Sequence, residues 1–188
     1  MLFLGLAMLW FAVRYFYPPA KTNKVLVVLG SGGHTSEMLT YVSHMKSKPF
    51  ALEFVCASSD FHSQNLIQRE YPTCKLHTVF RSRRVKQSYF TSVFTTLYSF
   101  LPAFKVVLVC RPNLVLTNGP GTALPLCYVA YLLTLLRVVS CKIVFVESFC
   151  RVNSLSLCGK LIYPIVQEFY VQWENLASKK IKYIGLLV

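Results

Sequence analysis

The chain has 188 residues, 54% hydrophobic and 14% charged, with 20 Lys plus Arg against 7 Asp plus Glu and a formal net charge of +13. It is too apolar for a disordered tail and too long for a disulfide-stapled miniprotein, so one globular domain of ordinary size is expected. The charge excess favours anionic partners such as phosphates and acidic lipid headgroups, while the shortage of acids makes a cluster of several catalytic carboxylates hard to assemble. Seven cysteines include no C-x-x-C pair and cannot all pair within one chain. That usage fits buried thiols in a reducing compartment, and no metal is expected.

Residues 1–17 read MLFLGLAMLWFAVRYFY, an apolar run closed by Pro18 and Pro19. The prolines cannot continue a helix. Arg14, Lys21 and Lys24 follow the apolar core instead of preceding it, the reverse of a secretory signal. Residues 1–20 are therefore expected to be a membrane anchor helix that leaves residues 21–188 on the cytosolic side.

Residues 24–29, KVLVVL, form a continuous β-branched run of the kind buried on both faces of a parallel sheet. A glycine-rich turn follows, then a helix over 35–45 with Met38, Leu39, Val42 and Met45 at helical spacing and Glu37 in a first turn that favours an acid. Strands are expected at 52–57 and 75–80, with a helix at 61–71 between them. Residues 88–110 are apolar with Pro102 inside, which predicts a kinked or split helix. A strand at 114–116 closes on Asn118-Gly119-Pro120-Gly121. Residues 122–139 are almost wholly apolar and long enough to be weighed as a membrane span. The strand at 142–146 that follows at once favours a buried or membrane-lying crossover helix. Short strands at 169–171 and 182–184 flank a small helix near 174–179. The fold class is α/β: a doubly wound parallel sheet behind an amino-terminal membrane helix, with ligands expected beyond the carboxyl ends of the strands.

Four segments meet at that rim. Gly30, Ser31, Gly32, Gly33, His34 and Thr35 place backbone N–H groups and a helix start where an anion can sit, although the same turn can exist with nothing bound. It is not a Walker A loop, and Thr35 replaces the last glycine of the dinucleotide fingerprint. Asn118, Gly119 and Gly121, with Thr122, repeat the small-residue arrangement after the fourth strand. Arg81 and Arg83 form a basic patch after the third. Glu147 ends the fifth strand, where a carboxylate can orient a sugar hydroxyl, act as a base, pair with Arg151 or cap a helix. His34 can accept a proton from a hydroxyl nucleophile or simply contact phosphate. Asp60 occupies the place of a ribose-binding acid, and a membrane-tethered nucleotide-dependent oxidoreductase is the alternative function. No RNA-recognition, zinc-finger or helix-turn-helix signature supports a nucleic-acid partner.

The glycine loop, Arg81-Ser82-Arg83 with Val85 and Gln87-Ser88, Asn118-Gly119-Pro120-Gly121-Thr122, and Val146-Glu147-Ser148 with Arg151-Val152, Leu155-Ser156 and Gly159-Lys160 occur in order after the anchor. Together they resemble the membrane-anchoring subunit of the eukaryotic UDP-N-acetylglucosamine transferase of the dolichol pathway, the asparagine-linked glycosylation protein 14 family. The family motifs have Glu at Arg84, Asp at Asn113 and Cys at Thr117, and a more polar residue at Leu186.

The resemblance implies one Rossmann-like lobe of a two-lobed GT-B glycosyltransferase with no cofactor, held at the cytosolic face of the endoplasmic reticulum as a single-pass protein. Its acceptor would be N-acetylglucosaminyl-pyrophosphoryl-dolichol, and UDP-GlcNAc would lie in the cleft shared with a separate catalytic subunit. The second GlcNAc would be transferred with inversion and without metal. His34 is then the first choice for a base on the acceptor 4-hydroxyl and Glu147 the second. The apolar Leu186, Leu187 and Val188 would dock the partner.

Overall fold

The computed structural model describes residues 23–45, 49–82 and 88–187. The anchor expected at residues 1–20, together with Arg83, Arg84 and Val188, lies outside the described residues.

Seven parallel strands form one sheet in the order β3-β2-β1-β4-β5-β6-β7. They are β1 (Lys24–Val28), β2 (Ala51–Ala57), β3 (Lys75–Val79), β4 (Leu114–Thr117), β5 (Lys142–Val146), β6 (Glu168–Val171) and β7 (Ile181–Tyr183). The helices are α1 (Gly33–Ser43), α2 (Phe61–Glu70), α3 (Tyr89–Cys110), α4 (Ala123–Leu135) and α5 (Leu157–Ile162), with a 3₁₀ turn at Glu174–Leu176.

The two-residue period of a strand accounts for the layering. In β1 and the residue after it, Val25, Val27 and Leu29 join Met38, Leu39 and Val42 of α1 and Ile67 of α2 on one face. Leu26 and Val28 point the other way, into a core with Val106 and Val107 of α3, Leu126 and Val129 of α4, and Ile162 of α5. A central strand covered on both faces has no polar side, hence its unbroken apolar run. Each fully buried aliphatic or aromatic side chain contributes about 1.5–3 kcal/mol relative to exposure.

The helices depart from the expected elements at α3 and α5, whereas α4 agrees with them. Pro102 does not split the helix: α3 is one element of 22 residues. The 13-residue α4 is the buried crossover helix, with Leu126, Cys127, Val129 and Ala130 fully covered. Among the described residues, the helix long and apolar enough to cross a membrane is α3, over Val93–Cys110, with 28% of that window buried. Finally, α5 has no counterpart in the expected elements.

Strand order reverses between β1 and β4, which are paired through Val28 and Thr117. The loops leaving these two strands are consequently neighbours, and a crevice opens at their carboxyl ends.

Candidate functional site

The glycine loop turns into α1 because Gly32 stands at φ 61°, a left-handed conformation that side chains disfavour. Gly30 is needed for space: a Cβ there would lie 2.6 Å from His34 Cβ and 2.9 Å from Pro120 Cβ. Thr35 is buried, and its hydroxyl is held by the Gly30 carbonyl and by Ser63 Oγ at 2.7 Å. Its observed contacts therefore shape the loop. Ser31, Gly32 and Gly33 remain exposed.

His34 is half-buried as the second residue of α1, and its Nδ1 is shielded from solvent without a hydrogen-bond partner. Asn118 is fully buried, and its Nδ2 donates to the His34 carbonyl at 2.9 Å and to Glu37 Oε2 at 3.1 Å. Gly119, at φ 91°, passes over the Phe145 ring, which would be 3.0 Å from an added Cβ. Thr117 Oγ1 accepts from Gly119 N at 3.3 Å, and Asn113 Oδ1 accepts from Lys24 N at 3.0 Å. Two of the departures from the family motif thus retain hydrogen-bonding work.

Glu147 is 1% exposed. Its Oε2 accepts from Ser156 N at 2.9 Å and Ser156 Oγ at 3.1 Å, whereas Oε1 is buried with no partner. Burial pushes its carboxyl above the ordinary value, against the lowering effect of the Ser156 hydrogen bonds and the Arg151 charge. Ser156 also caps α5 by accepting from Gly159 N at 2.9 Å. Gly159 leaves room for the carboxylate, since a Cβ there would stand 2.6 Å from Glu147 Oε2.

These groups border two adjoining cavities. The larger, about 1180 Å³, takes His34, Glu37, Glu147, Ser148 and Arg151 into its lining from α1 and the loop after β5. The rest of its lining is mainly apolar, with Val93, Leu97 and Phe100 from α3, Leu124 from α4, and Leu157 and Leu161 from α5, interrupted by Ser82, Thr96 and Tyr128. The smaller, about 160 Å³, brings Gly30, Ser31, His34 and Arg81 together with Gly119 and Gly121. Thus loops after β1, β3, β4 and β5 do converge. Leu186 and Leu187 are exposed and far along the chain from these loops, although Leu187 N donates to Gln172 Oε1 at 2.9 Å.

Asp60 borders the smaller cavity, but its carboxylate is engaged in capping α2: Oδ1 accepts from Ser63 N at 3.2 Å and Oδ2 from Ser63 Oγ at 2.8 Å. Its observed hydrogen bonds are those of a helix cap, and they give no support to the ribose-binding role that the oxidoreductase alternative needs. At the opposite end of the sheet, Glu53, His77 and Cys110 cluster. Lys24 Nζ lies 3.1 Å from Glu53 there and already supplies the positive charge.

Sequence reasoning gave Glu37 a purely local purpose, and it placed Ser156 and Gly159 in a family motif without giving them a part in this site. The helix starts at Gly33, so Glu37 is the fifth helical residue, not a first-turn acid, and its carboxylate is buried. Its position in a chain with only seven acids was the available signal.

The described fold is similar to MurG of Acinetobacter baumannii, with TM-score 0.68 and 11% identity over 87% of this chain and 45% of that one. It is also similar to a UDP-GlcNAc 2-epimerase from Neisseria meningitidis solved with UDP-GlcNAc bound, with TM-score 0.63 and 14% identity over 87% of this chain and 47% of that one. The chain spans less than half the length of these solved structures. Its class is a Rossmann-like lobe of the GT-B kind. At the level of sequence, residues 25–187 match the family described as "Oligosaccharide biosynthesis protein Alg14 like", and the chain belongs to that family. A mouse protein named UDP-N-acetylglucosamine transferase subunit ALG14 is 43% identical over 185 residues, covering 90% of this chain and 85% of its own.

Proposed function

We propose that this chain is the acceptor-binding, membrane-held subunit of a heteromeric UDP-GlcNAc transferase that adds the second GlcNAc to N-acetylglucosaminyl-pyrophosphoryl-dolichol. The observation that carries this reading is a single cavity lined both by His34, Glu147 and Arg151 and by apolar side chains of α3, α4 and α5. An amphiphile bearing a polar anionic head on an apolar chain matches such a mixed lining.

The pyrophosphate would lie against the exposed Ser31, Gly32 and Gly33 backbone and the start of α1, with Arg81, Arg83 and Arg151 supplying positive charge. The catalytic subunit provides the facing lobe and most of the UDP-GlcNAc pocket. In the transfer step the acceptor 4-hydroxyl oxygen forms a bond to the donor anomeric carbon as the bond to UDP breaks, and His34 takes the hydroxyl proton. Glu147 is the second candidate for that proton. Residues 1–20 hold the chain in the endoplasmic reticulum membrane with its lobe on the cytosolic face, and Leu186, Leu187 and Val188 dock the catalytic subunit.

Along α3, Phe94, Leu97 and Leu101 are more than 60% exposed, an apolar stripe beside the cavity mouth that suits an isoprenoid chain or the lipid surface it leaves. Binding of a short-chain GlcNAc-pyrophosphoryl-lipid to the purified full chain tests the reading. Saturable binding that weakens at least tenfold when a neutral linker replaces the pyrophosphate is expected. Equal binding of the two compounds would contradict it.

A further inference from the structure

Glu37 carries a charge that the proposed transfer step does not use. Its side chain is 3% exposed, and both oxygens are engaged: Oε1 accepts from Ser148 Oγ at 2.6 Å and Oε2 from Asn118 Nδ2 at 3.1 Å. Those partners lie 111 and 81 residues away in sequence, just beyond β5 and β4. One carboxylate on α1 therefore ties the rim loops of two other strands.

Chemistry fixes how each partner is oriented. Asn118 Nδ2 meets two acceptors, the Glu37 carboxylate and the His34 carbonyl, so the amide must turn its nitrogen toward them. Its Oδ1 is left as a buried acceptor without a partner. Ser148 Oγ donates to Glu37 and accepts from Cys150 N at 3.3 Å. This holds the turn that brings Phe149, Cys150 and Arg151 to the cavity wall. Behind Glu37, the Tyr41 hydroxyl closes the contact, and Gln172 Nε2 donates to that hydroxyl at 2.8 Å and to the Glu147 carbonyl at 3.1 Å.

We propose that Glu37 is the positioning residue of this site, acting through Asn118 and Ser148 to hold His34 and the Arg151 turn in fixed register across the cavity. This rests on the transferase reading above. What the site requires of residue 37 is reach and hydrogen-bond acceptance, because its partners are a neutral amide and the neutral hydroxyls of Ser148 and Tyr41. Glutamine has the same reach: its carbonyl can accept from Asn118, and the Ser148 hydroxyl can turn to accept from its amide. Aspartate keeps the charge but is one methylene short of these partners.

The test uses the full chain assembled with its catalytic partner, measuring steady-state GlcNAc transfer against acceptor and against UDP-GlcNAc, with thermal melting as the control for folding. Glu37→Asp is expected to lose about 10- to 100-fold in kcat, the scale of one or two lost hydrogen bonds to a buried carboxylate, with the KM for UDP-GlcNAc within twofold. Glu37→Gln is expected to lose no more than about fivefold. Equal losses in the two variants, or the larger loss in Glu37→Gln, would overturn the inference.

Should Glu37→Asp fail to assemble, Asn118→Asp carries the same test, since it sets a carboxylate against two acceptors. Its loss should recover at least threefold when Glu37→Gln is added, because the new amide can donate to it; no recovery overturns the proposal. A wild-type assembly that transfers nothing would instead defeat the transferase reading itself, and this inference with it.

Discussion

Replacing Gly159 by alanine should unfold part of the site through a single atom. A Cβ at 159 would lie 2.6 Å from Glu147 Oε2, 3.1 Å from Ser156 Oγ and 3.2 Å from Phe169 Cζ. The first distance is too short to persist, so the carboxylate must move and release the Ser156 N and Oγ bonds, now 2.9 and 3.1 Å. Hydrogen bonds to a charged group contribute about 1.5–3 kcal/mol each. Alanine returns about 1 kcal/mol through its better helix propensity, because Gly159 lies inside α5. The net cost expected is about 2–5 kcal/mol, which for a chain of this size lowers Tm by about 4–20 °C. Thermal unfolding of the full chain in detergent measures it. The control is a double-mutant cycle: with Glu147→Ala the clashing oxygen is gone, and Gly159→Ala should then be neutral within about 1 kcal/mol. An unchanged or raised Tm for the single variant, or the same cost in both backgrounds, would refute the reasoning.

Two further predictions concern pH. Burial opposes ionisation of Glu53, yet its bonds with His77 Nε2 at 2.7 Å and Lys24 Nζ at 3.1 Å outweigh that and hold its carboxyl below the ordinary 4.5. A carboxyl lowered on folding stabilises above its ordinary value and ceases to do so as pH falls through the folded one. Glu53→Gln should therefore cost about 1–3 kcal/mol at pH 7, with the difference in Tm closing as pH falls from 4.5 through the folded value; a constant gap would contradict this. Glu147 has the opposite sign, since its carboxyl is raised above 4.5 on folding. Relative to Glu147→Gln, the wild-type chain should lose stability as pH rises from about 4.5 through the folded value, and a flat difference in Tm between pH 4 and 8 would be the contrary finding. For the proposed base, His34→Ala in the assembled enzyme should lower kcat by about 10²- to 10⁴-fold while acceptor-analogue binding changes little. Full turnover would remove His34 from that role.

The sheet was legible because its central strands obey a simple rule. Residues 25–28 must be apolar on both faces, and the run VLVV after Lys24 has no other comfortable place in a doubly wound fold. The loops that bear Gly30 and Asn118 were legible as well, for a switch point needs small residues where two chains turn beside each other. By contrast, α5 escaped because it has six residues with a glycine inside, too short to show a helical period. Glu37 was visible but assigned a local purpose, and its real partners come from β4 and β5 loops that no local spacing connects to α1. Glu147 shows the same limit: its place at a strand end was readable, whereas the space that Gly159 leaves for it depends on packing between α5 and the sheet.

The central claim is a division of labour, with the acceptor held here and catalysis completed by a second subunit. Its most direct measurement is GlcNAc transfer from UDP-GlcNAc to GlcNAc-pyrophosphoryl-dolichol by the purified full chain, by the catalytic subunit, and by the two combined. Transfer is predicted only in the combined sample, lost again when the neutral-linker acceptor is used. Transfer by this chain alone, or none by the combination, would contradict the account.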